Sequence, residues 1–319
     1  MRIAAALLAA SASLAQTPPL QTARIGDFRL ESGIALKDCV VAYRTWGNLN
    51  EARDNAILFP SFFNGTSEDL ADYVGEGRIL DPSSHFIVAA DALGNGFSTS
   101  PSNYPPAKGR AFPNITIGDM VESHRRLLDE LKIERLEAIA GISMGGMQVY
   151  EWLVRYPNFA RRAVAIVATP RMGPEDVKLW IAQIPLNRRD GDPPEAAPAP
   201  APKKDRFSKI LDILGMAADQ GQKYREPFNP LRQFEAIQRH DIGRKFGGSL
   251  DRAREAIRTP LLSVVALKDQ ALSPATAIDF AKAAGWPVIE LDAKEGHAAF
   301  KSEAARIGHE IAKFLKENK

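Results

Sequence analysis

Ser143 lies in the run Gly141-Ile142-Ser143-Met144-Gly145-Gly146, with an apolar stretch at 136–140 before it and a helical pattern at 147–155 after it. A small-x-Ser-x-small sequence between a strand and a helix imposes a turn so tight that only Gly or Ala fits beside the serine, and it leaves the hydroxyl exposed. A serine hydroxyl is a weak nucleophile at neutral pH. It needs a histidine to take its proton and a carboxylate to hold that histidine in one tautomer. Where the nucleophile sits on such an elbow, its partners follow in the chain order Ser, Asp or Glu, His. Asp269 comes after the apolar run 261–266 and His297 after the run 288–291, each at the carboxyl end of an expected strand. These residue types in this order point to acyl transfer through a covalent serine ester.

The chain has five histidines, so each needs weighing. His85 precedes a strand at its amino end, His124 and His309 lie on helical faces, and His240 stands in a helical stretch before Asp241. Chain order favours His297 as the base. Asp292 rivals Asp269 as the acid, but it is too close in sequence to His297 to come from a separate strand end. The tetrahedral intermediate also needs two donors for its oxyanion. The backbone N–H of Met144 is one. The other is expected from the loop Ser61-Phe62-Phe63-Asn64-Gly65, with Phe63 the first choice and Phe62 the alternative. Phe62 and Asn64 are the candidate pocket residues; Phe62, Phe63 and Trp180 suggest an uncharged or aromatic acyl group. The sequence shows no metal-ligand cluster, and the glycines around Ser143 belong to the elbow rather than to a dinucleotide fingerprint, so no metal or cofactor is expected.

The elements that must position these residues are legible as alternating patterns. β-rich runs at 39–45, 56–60, 86–90, 136–140, 163–167, 261–266 and 288–291 alternate with amphipathic stretches at 117–131, 147–155, 274–284 and 299–315. This predicts an α/β fold, a mainly parallel sheet with helices on both faces. The residues 28–43 lack an intervening helix and should form an antiparallel edge. Between about 170 and 260 the patterns are helical, at 175–184, 207–217, 230–239 and 251–257, which predicts a helical lid insertion above the carboxyl ends of the strands. Within it, the Pro- and Ala-rich residues 190–204 (DGDPPEAAPAPAPKK) cannot build a core and read as a surface loop. The expected organisation is core at 16–169, lid at 170–259 and core again at 260–319.

Residues 1–15 supply a basic start, an apolar run and small residues before Gln16, the pattern of a secretory signal peptide too short to span a bilayer. They predict a periplasmic or secreted protein that is not held in the membrane once the signal is cleaved. With 319 residues, 45% hydrophobic and 25% charged, the chain suits one large α/β domain with an insertion. A formal charge of +2 without a basic run indicates no nucleic-acid partner, leaving a small-molecule ester as the expected substrate. Cys39, the single cysteine, reads as a small buried hydrophobe in a strand.

With these residues in hand, the chain resembles the homoserine O-acetyltransferase family of α/β-hydrolase-fold enzymes. The stretches carrying the resemblance are VAYRTWGNLN at 41–50, DALGNGFS at 91–98, GISMGGMQ at 141–148 with Glu151 and Trp152, HDIGR at 240–244, and Gly296-His297 with Phe300. Carried over by position, the family's triad falls on Ser143, Asp269 and His297, and a homodimer is one assembly the resemblance allows. Two departures bear on substrate. The family's catalytic His is typically followed by an Asp that helps hold the substrate amino group, and here the neighbour is Ala298. The family's lid also carries an Arg and Tyr pair that engages homoserine, and no matching string occurs here. Acetyl-CoA is cytoplasmic, so an exported enzyme would not meet it. The expectation is therefore an exported serine esterase, with an O-acyltransferase using acetyl-CoA as the alternative.

Overall fold

The structure, a computed structural model, describes residues 17–177 and 228–316. The signal-peptide residues, most of the predicted helix 175–184, Trp180, the 190–204 loop and the predicted helix 207–217 lie outside the described residues. Eight strands form one sheet: β1 (Gln21–Arg29), β2 (Ala35–Trp46), β3 (Ala56–Pro60), β4 (Phe86–Ala90), β5 (Leu136–Ile142), β6 (Ala160–Ile166), β7 (Leu261–Ala266) and β8 (Val288–Leu291). Their order across the sheet is β1-β2-β4-β3-β5-β6-β7-β8. The pairs from β4 to β8 are parallel, whereas β1 pairs antiparallel with β2 and β2 antiparallel with β4. The expected antiparallel edge is thus where residues 28–43 placed it.

Burial explains the pairing. Every residue of β3, β5 and β7 is buried, which requires helices over both faces. β1 alternates between exposed and buried positions, as suits a strand with one wet face. On one face, Leu58, Val88 and Ile139 pack with Met120, Val121 and Leu127 of α1 (Ile117–Glu130) and with Met147 and Tyr150 of α2 (Met144–Arg155). On the other, Ile57, Ile87, Ala138, Val164 and Val264 pack with Ile307, Ile311 and Phe314 of the last helix. Helix α1 starts at a capping box in which the Thr116 side chain accepts from the Asp119 N–H and the Asp119 side chain accepts from the Thr116 N–H.

Further helices among the described residues are α3 (Phe228–Gln238), α4 (Leu250–Ala256), α5 (Pro274–Lys282) and α6 (Ala304–Lys316). The predicted stretch 299–315 is broken at Glu303, which separates a single turn, Ala299–Ser302, from α6. Helix α2 begins at Met144, three residues earlier than its periodicity shows, because the turn at Ser143 leads directly into its first turn. Among the described residues, no helix is long and apolar enough to cross a membrane.

Candidate active site

The chain after β5 turns at Ser143, whose φ of 54° and ψ of −119° lie outside the basins that L-residues favour. Two hydrogen bonds hold it there: Ser143 N–H donates to Ile166 O at 2.9 Å and Ser143 O accepts from Met147 N–H at 2.9 Å. The flanking glycines are steric requirements. A Cβ at Gly141 would stand 2.2 Å from Gly145 O, one at Gly145 2.6 Å from Pro60 O, and one at Gly146 2.4 Å from the Ala168 Cβ. The backbone of α2 can therefore lie directly against the ends of β3 and β6, and the serine is carried above the sheet.

Asp269 and His297 arrive from the two strands beyond β6. Asp269 follows β7, and His297 follows β8 in the turn Gly296–Ala298. The His297 Nε2 lies 2.9 Å from Ser143 Oγ, and its Nδ1 lies 2.7 Å from Asp269 Oδ2. The second carboxylate oxygen, Oδ1, accepts from the N–H groups of Ala271 at 2.7 Å and Leu272 at 3.0 Å, so the acid is fixed before the histidine docks on it. Both side chains are buried, at 1% and 3% exposure. Gly296 has a φ of 57°, and a Cβ there would meet Lys268 O at 2.6 Å, so only glycine lets the histidine loop press against the acid loop. A histidine held in one tautomer by a buried carboxylate, with its other nitrogen on a serine hydroxyl, can remove the hydroxyl proton as the oxygen attacks a carbonyl and return it to the leaving group.

The rival residues are elsewhere. His124 is buried in the core with Nε2 against Asp91 O at 3.3 Å, and His240 is buried with Nε2 against Thr169 O at 3.1 Å. Burial pushes both imidazoles down to about 4, so they stay neutral at ordinary pH. Asp292 is exposed and pairs with Lys268 at 2.7 Å.

The loop after β3 reaches the elbow. Its turn closes with Gly65 N–H donating to Phe62 O at 2.9 Å, and Asn64 at the third position has a φ of 59°. Phe63 is 1% exposed and Asn64 2%. The Phe62 ring packs edge-on to Tyr73, with centroids 6.5 Å apart, and lies over Gly65, where a Cβ would meet it at 2.4 Å. Tyr73 continues to Phe300, three residues beyond His297, at 5.5 Å.

Four buried groups that sequence reasoning passed over brace this machinery. Gln148, on α2, donates from Nε2 to Ser61 O at 3.1 Å and Met144 O at 3.3 Å, tying the β3 loop to the elbow. Asp91 accepts from Ser67 N–H at 2.8 Å and Asn95 Nδ2 at 2.6 Å, and its second oxygen accepts from Ser67 Oγ at 2.6 Å. Burial pushes its carboxyl up to about 6 despite those donors. Asp176 accepts from Ser273 N–H at 2.9 Å, joining the start of the insertion to the loop that carries Asp269, and burial raises its carboxyl as well. Gln233 on α3 accepts from Asn64 N–H at 2.9 Å. Asp91 and Gln148 sit in the stretches that carry the acetyltransferase resemblance; the other two have no local signal at all.

Comparison with known proteins places the site in a family. Residues 57–304 match the family model described as the alpha/beta hydrolase fold. The chain is 33% identical to ethyl acetate hydrolase of Pseudomonas veronii over 273 residues, covering 75% of this chain and 78% of that protein. It is 38% identical to homoserine O-acetyltransferase of Geobacter sulfurreducens over 171 residues, covering 48% of this chain and 46% of that protein. The match to a probable esterase of Corynebacterium glutamicum likewise covers 46% of that protein, so the chain spans about half the length of several curated relatives it matches. A solved acetylester hydrolase from Corynebacterium glutamicum superposes with a TM-score of 0.79 at 27% identity, covering 94% of this chain and 95% of that one. The chain belongs to the alpha/beta hydrolase fold family.

Proposed function

We propose that this protein is a serine esterase that cleaves small, uncharged esters through an acyl-enzyme on Ser143. The observation that carries the reading is the unbroken relay from Asp269 through His297 to Ser143, at 2.7 and 2.9 Å, on a strained elbow. His297 acts first as base and then as acid, Asp269 orients it, and the N–H groups of Met144 and Phe63 receive the oxyanion. Phe62 and Asn64 line the pocket, beneath a lid built from residues 170–259. The relatives named as an ethyl acetate hydrolase and an acetylester hydrolase support a short acyl group. Residues 1–15 act as an export signal, so the enzyme works in the periplasm or outside the cell, without metal or cofactor.

A second reading, an O-acyltransferase using acetyl-CoA, is favoured by the likeness to homoserine O-acetyltransferases. Against it stands Ala298, in the position where the acetyltransferases typically carry an Asp that helps hold the substrate amino group. The experiment is intact-mass measurement of wild type and Ser143→Ala after brief exposure to p-nitrophenyl acetate, with p-nitrophenol release followed with and without homoserine. The esterase reading expects an acetyl adduct that depends on Ser143 and a turnover indifferent to homoserine. Turnover that rises with homoserine, with O-acetylhomoserine formed, sinks it in favour of transfer.

A further inference from the structure

We infer that Gln233 is a positioning residue for the oxyanion hole: it seats the turn that carries Phe63 by accepting from the N–H of Asn64. The inference rests on the reading of the Phe63 N–H as an oxyanion donor. The turn Phe62–Gly65 is closed by the Gly65 N–H on Phe62 O at 2.9 Å, with Phe63 and Asn64 as its central residues. The peptide joining the two central residues of such a turn has two accessible orientations, and they differ in the backbone angles on either side of it. Here the chain takes the one with a positive φ at Asn64, 59°, tolerated by Asn better than by most side chains. The N–H of that peptide is the one that Gln233 holds, so losing the acceptor frees the turn that carries Phe63 to shift from its seat beside the elbow.

Gln233 is itself held. Its Oε1 accepts from the Asn64 N–H at 2.9 Å, and its Nε2 donates to Leu93 O at 3.3 Å, so both ends of a fully buried amide are fixed. Helix α3 cannot drift away with it. Asn229 accepts from Ser102 N–H at 3.0 Å, and Arg232 donates to Phe112 O at 2.9 Å and Arg110 O at 2.8 Å. This end of the insertion is a docked wall, knit to the 91–112 loop, and Gln233 is the point at which it reaches the catalytic machinery.

The test uses Gln233→Met and Gln233→Glu, with p-nitrophenyl acetate kinetics, active-site titration by a fluorophosphonate, and Ki for a trifluoromethyl ketone that forms a tetrahedral adduct on Ser143. Gln233→Met fills the volume but offers no acceptor. Per titrated site its kcat is expected to fall roughly 10- to 100-fold, short of the 10²–10³ lost when a whole donor is removed, with KM within about twofold and Ki rising in parallel with the loss. Gln233→Glu keeps an acceptor for Asn64, and in its protonated form also a donor for Leu93 O. Its rate relative to wild type should therefore recover as pH falls, a signature that a packing defect does not produce. If Gln233→Met folds and titrates yet keeps wild-type kcat and Ki at neutral pH, the inference is overturned. The same holds if the loss appears only as fewer titratable sites. A wild type without Ser143-dependent turnover refutes the esterase reading instead, and the inference falls with it.

Discussion

Ser143 stands above the sheet on a strained backbone, and that strain should be measurable as stability gained when the serine is replaced by glycine. Its φ of 54° with ψ of −119° is outside even the left-handed helical basin, so the upper part of the 1–3 kcal/mol range for disfavoured backbone applies, about 3 kcal/mol. The useful comparison is Ser143→Gly against Ser143→Ala. Both lose the hydroxyl and its bond to His297, so that loss cancels. Glycine releases the strain but gives back about 1 kcal/mol through the greater freedom of the unfolded chain and about 0.8 kcal/mol for one buried methyl group. Ser143→Gly is expected to exceed Ser143→Ala in stability by about 1 kcal/mol. The backbone bonds from Ser143 N–H to Ile166 O and from Met147 N–H to Ser143 O do not depend on the side chain and should keep the turn unchanged. Urea unfolding of the two inactive variants measures the difference. If Ser143→Ala proves equally or more stable, the elbow is not held under strain.

Asp269→Asn should lower kcat by about 10⁴ by stabilising the wrong tautomer of His297. Asp292→Asn should leave kcat within about twofold, since its exposed pair with Lys268 contributes little; p-nitrophenyl acetate kinetics that reverse this order would exchange the two acids' roles. Gly296→Ala forces a Cβ against Lys268 O in a left-handed conformation, and thermal unfolding should show destabilisation of more than about 1 kcal/mol together with loss of turnover. For Asp91, burial raises the folded carboxyl to about 6 from an ordinary 3.8, so the folded state binds the proton more tightly. Stability should then fall as pH rises from about 4 through 6, by roughly 3 kcal/mol, and Asp91→Asn should remove that slope in urea unfolding; an unchanged slope would show that Asp91 is not its source.

The sheet was legible because β3, β5 and β7 are short, mainly apolar runs buried throughout, and the helices between strands repeat at helical spacing. The positions of Ser143, Asp269 and His297 could be read because a nucleophile elbow and strand carboxyl ends constrain where chemistry can sit, and the structure brings these three together. Gln233 and Asp176 were not legible. Their partners, Asn64 and Ser273, are 169 and 97 residues away, and a single long-range hydrogen bond leaves no period, composition or turn signal in the sequence. Element ends were displaced for local reasons of the same kind: α2 starts at the nucleophile, where the strained turn supplies the helix entry, and Glu303 interrupts the stretch that periodicity alone reads as one helix.

On the esterase reading, forming an acyl-enzyme and resolving it draw on different parts of the chain. The serine, histidine, acid and oxyanion donors suffice for the first step, and the same His297 then activates whichever nucleophile stands beside it. An alcohol outcompetes solvent only if it is bound, because a held and oriented acceptor gains an effective molarity of about 10⁵ M or more over one that collides at random. Binding an amino-acid acceptor requires charged partners near His297, and the position after that histidine is Ala298. A serine esterase of this kind should still transfer its acyl group to added alcohols, but without recognising them. Product partition between acetate and the acetylated alcohol, measured against increasing homoserine and against increasing methanol, is therefore expected to rise linearly and with similar slopes for both. Saturation with homoserine alone would reveal an acceptor site, and the branch point between hydrolysis and transfer would then lie in how the insertion binds the acceptor, with Ala298 no obstacle to it.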